Sequence, residues 1–505
     1  MKVSVTTIPV TELDVDILLI PLGSSSLNEK LEALEESFGP GIRRAVVDFK
    51  GEEKDQVLIY PEKSRAKRIV LLGMGKEDFI DAERIRCTAA KGAALTKKAN
   101  TETVAVINPK TPLDVEATSQ AIVEGFMLAS YSFNRYKTAQ EQQPIPIQRL
   151  VIHASEQEKS CRAGAERARI ISESVSNARD LVNLSPDEKT PVLLAKAFEK
   201  SAKKYGYEAD IWDKALITDE GMGGLLAVNR GSIDPPTFTV LTWQPESAIN
   251  EKPIILVGKG VTFDTGGLSL KSTKASMDFM KSDMAGAAAV AGTVEAAARL
   301  SLPVYLVGLI PATDNRPGEN AFVPGEVVRM HSGATVEVMN TDAEGRMLLA
   351  DALSYAKTYK PELVIDVATL TGAAVVALGS TLGAMMTNEG PGKEDRIHAM
   401  TQAGLRSGDR VHPLPLYKEY KDSLKSDIAD LKNVGGREGG TITAGKFLEH
   451  FTDYPWVHLD IAGPAFLHEP RTYNPKGGTG FGVRLLVNFL RDYTSPRKKT
   501  IQRSS

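Results

Sequence analysis

Asn340-Thr341-Asp342-Ala343-Glu344-Gly345-Arg346 puts two carboxylates and a guanidinium into one short stretch. The run before it, Ala334-Thr335-Val336-Glu337-Val338-Met339, alternates apolar and polar residues and predicts a strand. The run after it, Met347-Leu348-Leu349-Ala350-Asp351-Ala352-Leu353, has helical periodicity. A strand, a polar turn and a helix are the unit of an α/β protein, and in such proteins the chemistry sits where the strands end. If the extended conformation continues past Met339, Asp342 and Glu344 point to the same side, because side chains alternate with period two. The plainer reading of the same residues is a polar turn closed by a salt bridge to Arg346.

A second stretch has the same build. Pro253-Ile254-Ile255-Leu256-Val257-Gly258 is a short apolar run of the kind that forms a buried strand. It empties into Lys259-Gly260-Val261-Thr262-Phe263-Asp264-Thr265-Gly266-Gly267, with Lys271 and Asp283 beyond. The paired glycines permit positive φ and close approach of a ligand. Asp264, Asp283, Asp342 and Glu344 cannot crowd together unpaired, because like charges at close range force protonation. Two divalent cations would resolve the conflict. Oxygen ligands without a nearby cysteine or histidine motif suit Zn²⁺, Mn²⁺, Mg²⁺ or Co²⁺.

Together the two stretches resemble the leucyl aminopeptidase (cytosol aminopeptidase) family of two-metal exopeptidases. That family's Asn-Thr-Asp-Ala-Glu-Gly-Arg is unbroken here at 340–346, and its Lys-Gly-x-Thr-Phe-Asp-Ser/Thr-Gly-Gly stretch lies at 259–267. Tyr131-Ser132-Phe133-Asn134-Arg135-Tyr136-Lys137, Asn177-Ala178-Arg179-Asp180-Leu181-Val182-Asn183, Gly221-Met222-Gly223 and His458-Leu459-Asp460-Ile461-Ala462-Gly463 also fit. The likeness spans roughly residues 120–490 and is weaker before 120.

The resemblance implies a role for each matched residue. Asp264 and Glu344 would bridge two metal ions, Asp342 would complete one site, and Lys259 and Asp283 the other. Lys271 would stabilise the oxyanion of the tetrahedral intermediate, and Arg346 would hold a bicarbonate that relays a proton. Met280, Thr369, Leu370 and Gly372 would line the pocket for the substrate side chain. The implied activity is removal of N-terminal residues, Leu and other apolar ones preferred, from peptides by a metal-activated water. Mn²⁺ or Zn²⁺ is the implied metal, with Mg²⁺ or Co²⁺ as further options, and a homohexamer is the implied assembly. One departure is that the segment from Lys271 to Asp283 is one residue longer than the family's usual spacing and includes a second carboxylate, Asp278. Asp283 is the preferred ligand because Met280-Lys281-Ser282-Asp283-Met284 directly precedes a Gly/Ala-rich helix.

Composition limits the other readings. Hydrophobic content of 42% and charged content of 25% are ordinary for a globular chain. The net charge of −3 gives no global basic field for nucleic acid. A DNA-binding, transcriptional or recombination accessory role is the alternative function, and its local support is the basic run from Arg497 to Arg503. Cys87 and Cys161, the sole cysteines, argue against a disulfide framework and a thiolate zinc site. The sequence has no signal-peptide pattern and no membrane-length apolar run, so a cytoplasmic location is expected. The seven histidines lack a His-Glu-x-x-His pattern, and the serines lack a Gly-x-Ser-x-Gly elbow.

At 505 residues the chain is too long for one core. The expected fold is α/β in two domains: a smaller N-terminal α/β domain over 1–155 and a larger catalytic domain over 185–491, with a mixed sheet flanked by helices. A connecting helix is expected over 156–184 and a basic tail over 492–505. Expected strands include Ile17–Leu22, Arg68–Gly73, Thr103–Ile107, Leu150–Ile152, Pro253–Gly258, Val304–Ile310, Thr335–Met339 and Leu363–Val367. Helices are expected over Asp81–Ala99 and Met284–Leu300, the latter crowded with Ala and Gly for close packing on a sheet. Gln140-Glu141-Gln142-Gln143-Pro144 reads as a loop. Gly73-Met74-Gly75 lacks the third glycine of a dinucleotide turn.

Overall fold

The run Ile17–Gly23 is buried at every position, and its two faces enter different cores. Ile17 and Leu19 pack with Val70, Leu72, Ile85, Ala89 and Phe126. Leu18, Ile20 and Leu22 pack with Ile69, Leu71, Leu31 and Phe38. A strand covered on both faces needs no polar alternation, which is why it reads as one apolar block. In this computed structural model, described over residues 1–138 and 146–495, Ile17–Gly23 lies inside a six-stranded sheet. The strand order is Lys2–Thr6, Arg149–His153, Thr103–Ile107, Ile17–Gly23, Ile69–Gly75 and Gln56–Ile59. Its pairings are parallel except at the Gln56–Ile59 edge. Helix Ala82–Lys98 is capped by Asp81, which accepts from Arg84 N at 2.8 Å, and Val115–Ser130 by Asp114, which accepts from Ala117 N at 2.7 Å.

The chain divides into two compact units. One is Met1–Ser176 with Glu469–Lys476, and the other is Asn177–His468 with the chain from Gly477. Helix Glu158–Asn183 carries the division along its length. The loop expected at 140–144 and the basic run from Arg497 to Arg503 lie outside the described residues.

The second unit is built on a mixed, nine-stranded sheet. Its central strands Trp456–Asp460, Leu363–Ala368, Ile254–Gly258 and Leu306–Asn315 are parallel neighbours in that order. Thr237–Trp243 then runs antiparallel to Leu306–Asn315, and Gly383–Thr387 antiparallel to Trp456–Asp460. Leu306–Asn315 is long enough to pair twice on the same side. Its first half takes Ile254–Gly258 and its last residues take Gly260–Asp264. Lys259 therefore stands at a break between two strands that follow one another along a shared neighbour. Its N–H donates to Val367 O at 3.1 Å and its C=O accepts from Ala287 N at 2.9 Å.

Helix Ala285–Arg299 is buried from Ala285 to Ala298. Its small residues allow that depth: a Cβ at Gly286 would lie 2.0 Å from Val367 O, and one at Gly258 would lie 2.8 Å from Ala287 Cα. The strand before the 340–346 stretch is shorter than expected, Thr335–Glu337, and belongs to a separate three-stranded sheet with Val327–Arg329 and Leu431–Lys432. The extended conformation does not run through Asp342 and Glu344. Asn340 Oδ1 accepts from Asp342 N at 2.8 Å, which turns the chain, and Glu344 is already helical (φ −72°, ψ −41°) at the head of Gly345–Ala356. Among the described residues, no helix is long and apolar enough to cross a membrane.

Gly286→Ala is expected to destabilise the second unit by about 1–3 kcal/mol, because a backbone carbonyl cannot rotate away from the added methyl. Urea unfolding beside Gly372→Ala, whose Cβ meets nothing within 4 Å, reads the difference. Equal midpoints would show that the helix does not sit this close to the sheet.

Candidate active site

Four carboxylates and two lysines meet at one end of the central strands. Lys259 projects from the strand break, and its Nζ lies 2.8 Å from Asp283 Oδ1, 2.9 Å from Glu344 Oε1 and 3.0 Å from Thr369 O. Asp283 comes from the turn just before Ala285–Arg299, and Glu344 from the head of Gly345–Ala356. Gly345 leaves room for the lysine: a Cβ there would sit 2.4 Å from Lys259 Cε. Asp264 ends the strand Gly260–Asp264, and its Oδ2 lies 2.9 Å from Lys271 Nζ. Lys271 also pairs with Asp342. The turn between Asp264 and Lys271 uses Gly266 and Gly267 at φ +85° and +62°, a left-handed region that suits glycine. Asp278, the other carboxylate of that segment, is exposed, whereas Asp283 is buried beside Lys259.

Met280, Thr369, Leu370 and Gly372 line the same cavity as Lys259, Asp264, Lys271, Asp283, Asp342 and Glu344, with a volume of about 460 Å³. Thr369 Oγ1 donates to Asp283 Oδ1 at 2.7 Å, so the pocket wall and the carboxylate cluster are joined. Arg346 is buried but is not among the cavity-lining residues. Its Nη1 donates to Asn433 O at 2.7 Å, and its Nε is buried with no hydrogen-bond partner among the described residues.

Asn433, Thr341 and Asp460 hold these groups in place. Asn433 Nδ2 donates to Asn340 O at 2.7 Å, and its Oδ1 accepts from Met339 N at 2.8 Å. Thr341 Oγ1 donates to Gly266 O at 2.6 Å and so joins the two ligand-bearing loops. Asp460 accepts from Leu370 N at 3.1 Å and Thr371 Oγ1 at 2.6 Å, which sets the pocket wall. Asp460 lies in the motif His458-Leu459-Asp460-Ile461-Ala462-Gly463, which is a local signal; Asn433 carries none. His458 faces inward from the same strand, with its Nδ1 2.5 Å from Asp366 Oδ1, and His331 Nδ1 lies 2.9 Å from Ser354 Oγ.

The electrostatics are those of a cluster short of positive charge. Burial, reinforced by Glu344, pushes Asp264 up to about 6. Burial also raises Asp283 well above the carboxylate range, against the pull of Lys259, and raises Asp342. Burial acts on Glu344 in the same sense, but Lys259 and Lys271 outweigh it and hold Glu344 below its ordinary value. Both lysines are held above theirs, because the carboxylates override the cost of burial. Burial lowers Arg346 to about 10. Glu344 Oε2 is buried and hydrogen-bonded to nothing among the described residues. Such orphaned buried oxygens are costly. Asp264, Asp342 and Glu344 each offer an oxygen within 4.8 Å of the others. Hard, anionic oxygen donors at that spacing fit divalent cations, and the ammonium of Lys259 and that of Lys271 stand among them as monovalent substitutes.

The comparisons with known proteins agree with this chemistry. The chain matches a model described as the cytosol aminopeptidase family, catalytic domain, over residues 176–487, and one described as its N-terminal domain over 21–140. A probable cytosol aminopeptidase of Chloroherpeton thalassium is 41% identical over 98% of this chain and 100% of its own length. One from Chlorobium limicola is 42% identical over the same shares. Among solved structures, a mutant of tomato leucine aminopeptidase superposes with a TM-score of 0.86 at 29% identity, covering 97% of this chain and 96% of that one. The bottromycin maturation enzyme BotP in complex with Mn gives 0.84 at 33% identity, covering 95% and 100%.

Chelation followed by return of Mn²⁺ should raise the unfolding midpoint, by about 2.7 kcal/mol of stability at a hundredfold excess over Kd. Scanning calorimetry of stripped and reloaded protein measures it. The same midpoint in both, at cation levels that support hydrolysis, would rule out this cluster as the metal site.

Proposed function

This chain belongs to the cytosol aminopeptidase family and is a metal-dependent aminopeptidase acting on peptides, and on that premise we propose the following division of labour in its cavity. Asp264, Glu344, Asp342, Asp283 and Lys259 would together hold two divalent ions, Mn²⁺ or Zn²⁺, with Asp342 serving one ion and Lys259 with Asp283 the other. The observation that carries this reading is the single cavity in which these carboxylates outnumber the lysines set against them. Bound there, two such ions would supply an activated water and a polarised carbonyl.

The residues of the chain do the rest. Met280, Leu370, Thr369 and Gly372 receive the first side chain of the peptide, leucine or another apolar residue. An apolar pocket separates side chains that differ by one methylene by only about 1–3 kcal/mol, so the preference is broad. Lys271, beside both Asp264 and Asp342, places an ammonium where negative charge develops as the carbonyl carbon becomes tetrahedral. Arg346, buried outside the cavity lining with an unpartnered Nε, would hold a bicarbonate, and that group would supply a proton relay between the water and the leaving amine. The family likeness also underlies the proposals of a homohexamer and a cytoplasmic location.

Hydrolysis of a leucine anilide with each variant tests the assignments. Lys271→Ala should keep its metal content and lose kcat, because an oxyanion donor acts in the transition state. A variant that raised KM alone would contradict the oxyanion role.

Lys259→Arg makes a sharper distinction. An ammonium has no lone pair, so Lys259 must lose a proton to bind a cation. The surrounding carboxylates favour the ammonium, and a divalent charge in their midst reverses that balance. Guanidinium stays protonated, so Lys259→Arg should fold and yet hold fewer metal ions. Metal counting checks this: two tightly bound ions with unchanged turnover would mean that Lys259 contributes only charge.

A further inference from the structure

We propose that Asn315 is a positioning residue for the metal centre: its side-chain amide sets which oxygen of Asp264 faces the cations and ties that carboxylate to the 340–346 loop. The proposal rests on the reading of Asp264 as a metal ligand.

Asn315 is the last residue of the strand Leu306–Asn315 and lies opposite Asp264 in the parallel pairing, just past a shift in register between Val261 and Asp264. It is fully buried. Its Nδ2 donates to Asp264 Oδ1 at 2.9 Å and to Thr341 O at 3.0 Å. A carboxylate and a carbonyl only accept, so the amide can face this way alone. Both of its N–H bonds are thus committed, one to each ligand-bearing loop. Asp264 Oδ1 accepts a second bond from Gly266 N at 2.8 Å, which leaves Oδ2 as the oxygen turned toward Lys271. The backbone of Asn315 reinforces the arrangement: its O accepts from Thr265 N at 3.0 Å and from Thr265 Oγ1 at 2.8 Å.

The other end of the amide argues that this residue is not there for stability. Asn315 Oδ1 is buried with no hydrogen-bond partner among the described residues, and a Cβ at Gly267 would lie 2.8 Å from it. An unpaired buried oxygen is a cost, and a residue of similar shape without it would avoid that cost. What such a residue could not do is hold Asp264 and the Thr341 carbonyl with one neutral group. Aspartate has the same outline but would face Asp264 with a like charge.

The test uses the full chain, stripped by chelation and titrated with Mn²⁺ by calorimetry, with bound metal counted. Wild type is compared with Asn315→Leu, which keeps the branched outline at a larger volume and removes the donor, and with Asn315→Asp. Both variants should bind Mn²⁺ roughly tenfold or more weakly, the usual consequence of removing a hydrogen-bond partner of a ligand. Circular dichroism checks folding. For a variant too unstable to titrate, the dependence of its unfolding midpoint on Mn²⁺ concentration reads the same affinity. A purely structural asparagine would lower stability and leave the affinity of folded protein unchanged; that result overturns the proposal. Failure of the wild type to bind Mn²⁺ would instead overturn the assignment of Asp264 beneath it.

Discussion

Asp264, Asp283 and Glu344, all buried, and the half-buried Asp342 line one cavity, and their mutual repulsion is the constraint that the catalytic unit is built to hold. Without compensation such a group would spread apart or take up protons. Lys259 and Lys271 compensate in part, which is seen in the opposite displacements of Glu344 and Asp283: the first is held ionised, the second is pushed toward its neutral form. A pair of lysines is an incomplete answer to four carboxylates. The remaining deficit makes divalent cations the natural occupants, and it gives one lysine a double character, as counter-ion in their absence and as proposed ligand in their presence.

Holding charged groups against their repulsion needs a stiff frame. The frame here is made mostly of backbone and neutral side chains. The strand Leu306–Asn315 pairs in turn with Ile254–Gly258 and Gly260–Asp264, which places Lys259 at a break while both flanking segments stay hydrogen-bonded. Helix Ala285–Arg299 approaches the sheet closely enough for Ala287 N to bond Lys259 O. Thr341, Asn433 and Asp460 add bonds between loops that would otherwise be joined only through the sheet. Substrate recognition depends on the same frame, since Thr369 contacts both Asp283 and Lys259.

Some of this was legible in the residues. The apolar runs Ile17–Leu22 and Leu363–Val367 predict strands, and both lie within strands covered on two faces. The Ala and Gly of Met284–Leu300 announced a closely packed helix, and such a helix is present. The strand expected to stop at Ile310 continues to Asn315. Its last residues, Thr313-Asp314-Asn315, are polar and carry no apolar strand signal. In the fold those polar groups are buried with partners: Thr313 Oγ1 accepts from Asn229 Nδ2 at 3.1 Å, and Asn315 bonds Asp264. The motifs that carry the family likeness begin at Tyr131, whereas a domain model is matched from residue 21.

The sequence by itself determined the α/β class, the family, the metal-dependent peptidase chemistry and the kinds of side chain available for it, because periodicity and unbroken motifs are local properties. The tertiary structure decided what Asp342 and Glu344 do with their neighbours. Sequence periodicity set them on one side of an extended strand; the fold turns the chain at Asn340 and starts a helix at Gly345, and the two carboxylates approach Asp264 through that turn. It also decided that Asp283 and not Asp278 lies with Lys259, and that Arg346 sits outside the cavity lining. These outcomes depend on which strand ends lie side by side and on bonds between distant loops, and such non-local pairings leave no mark in the spacing of residues along the chain.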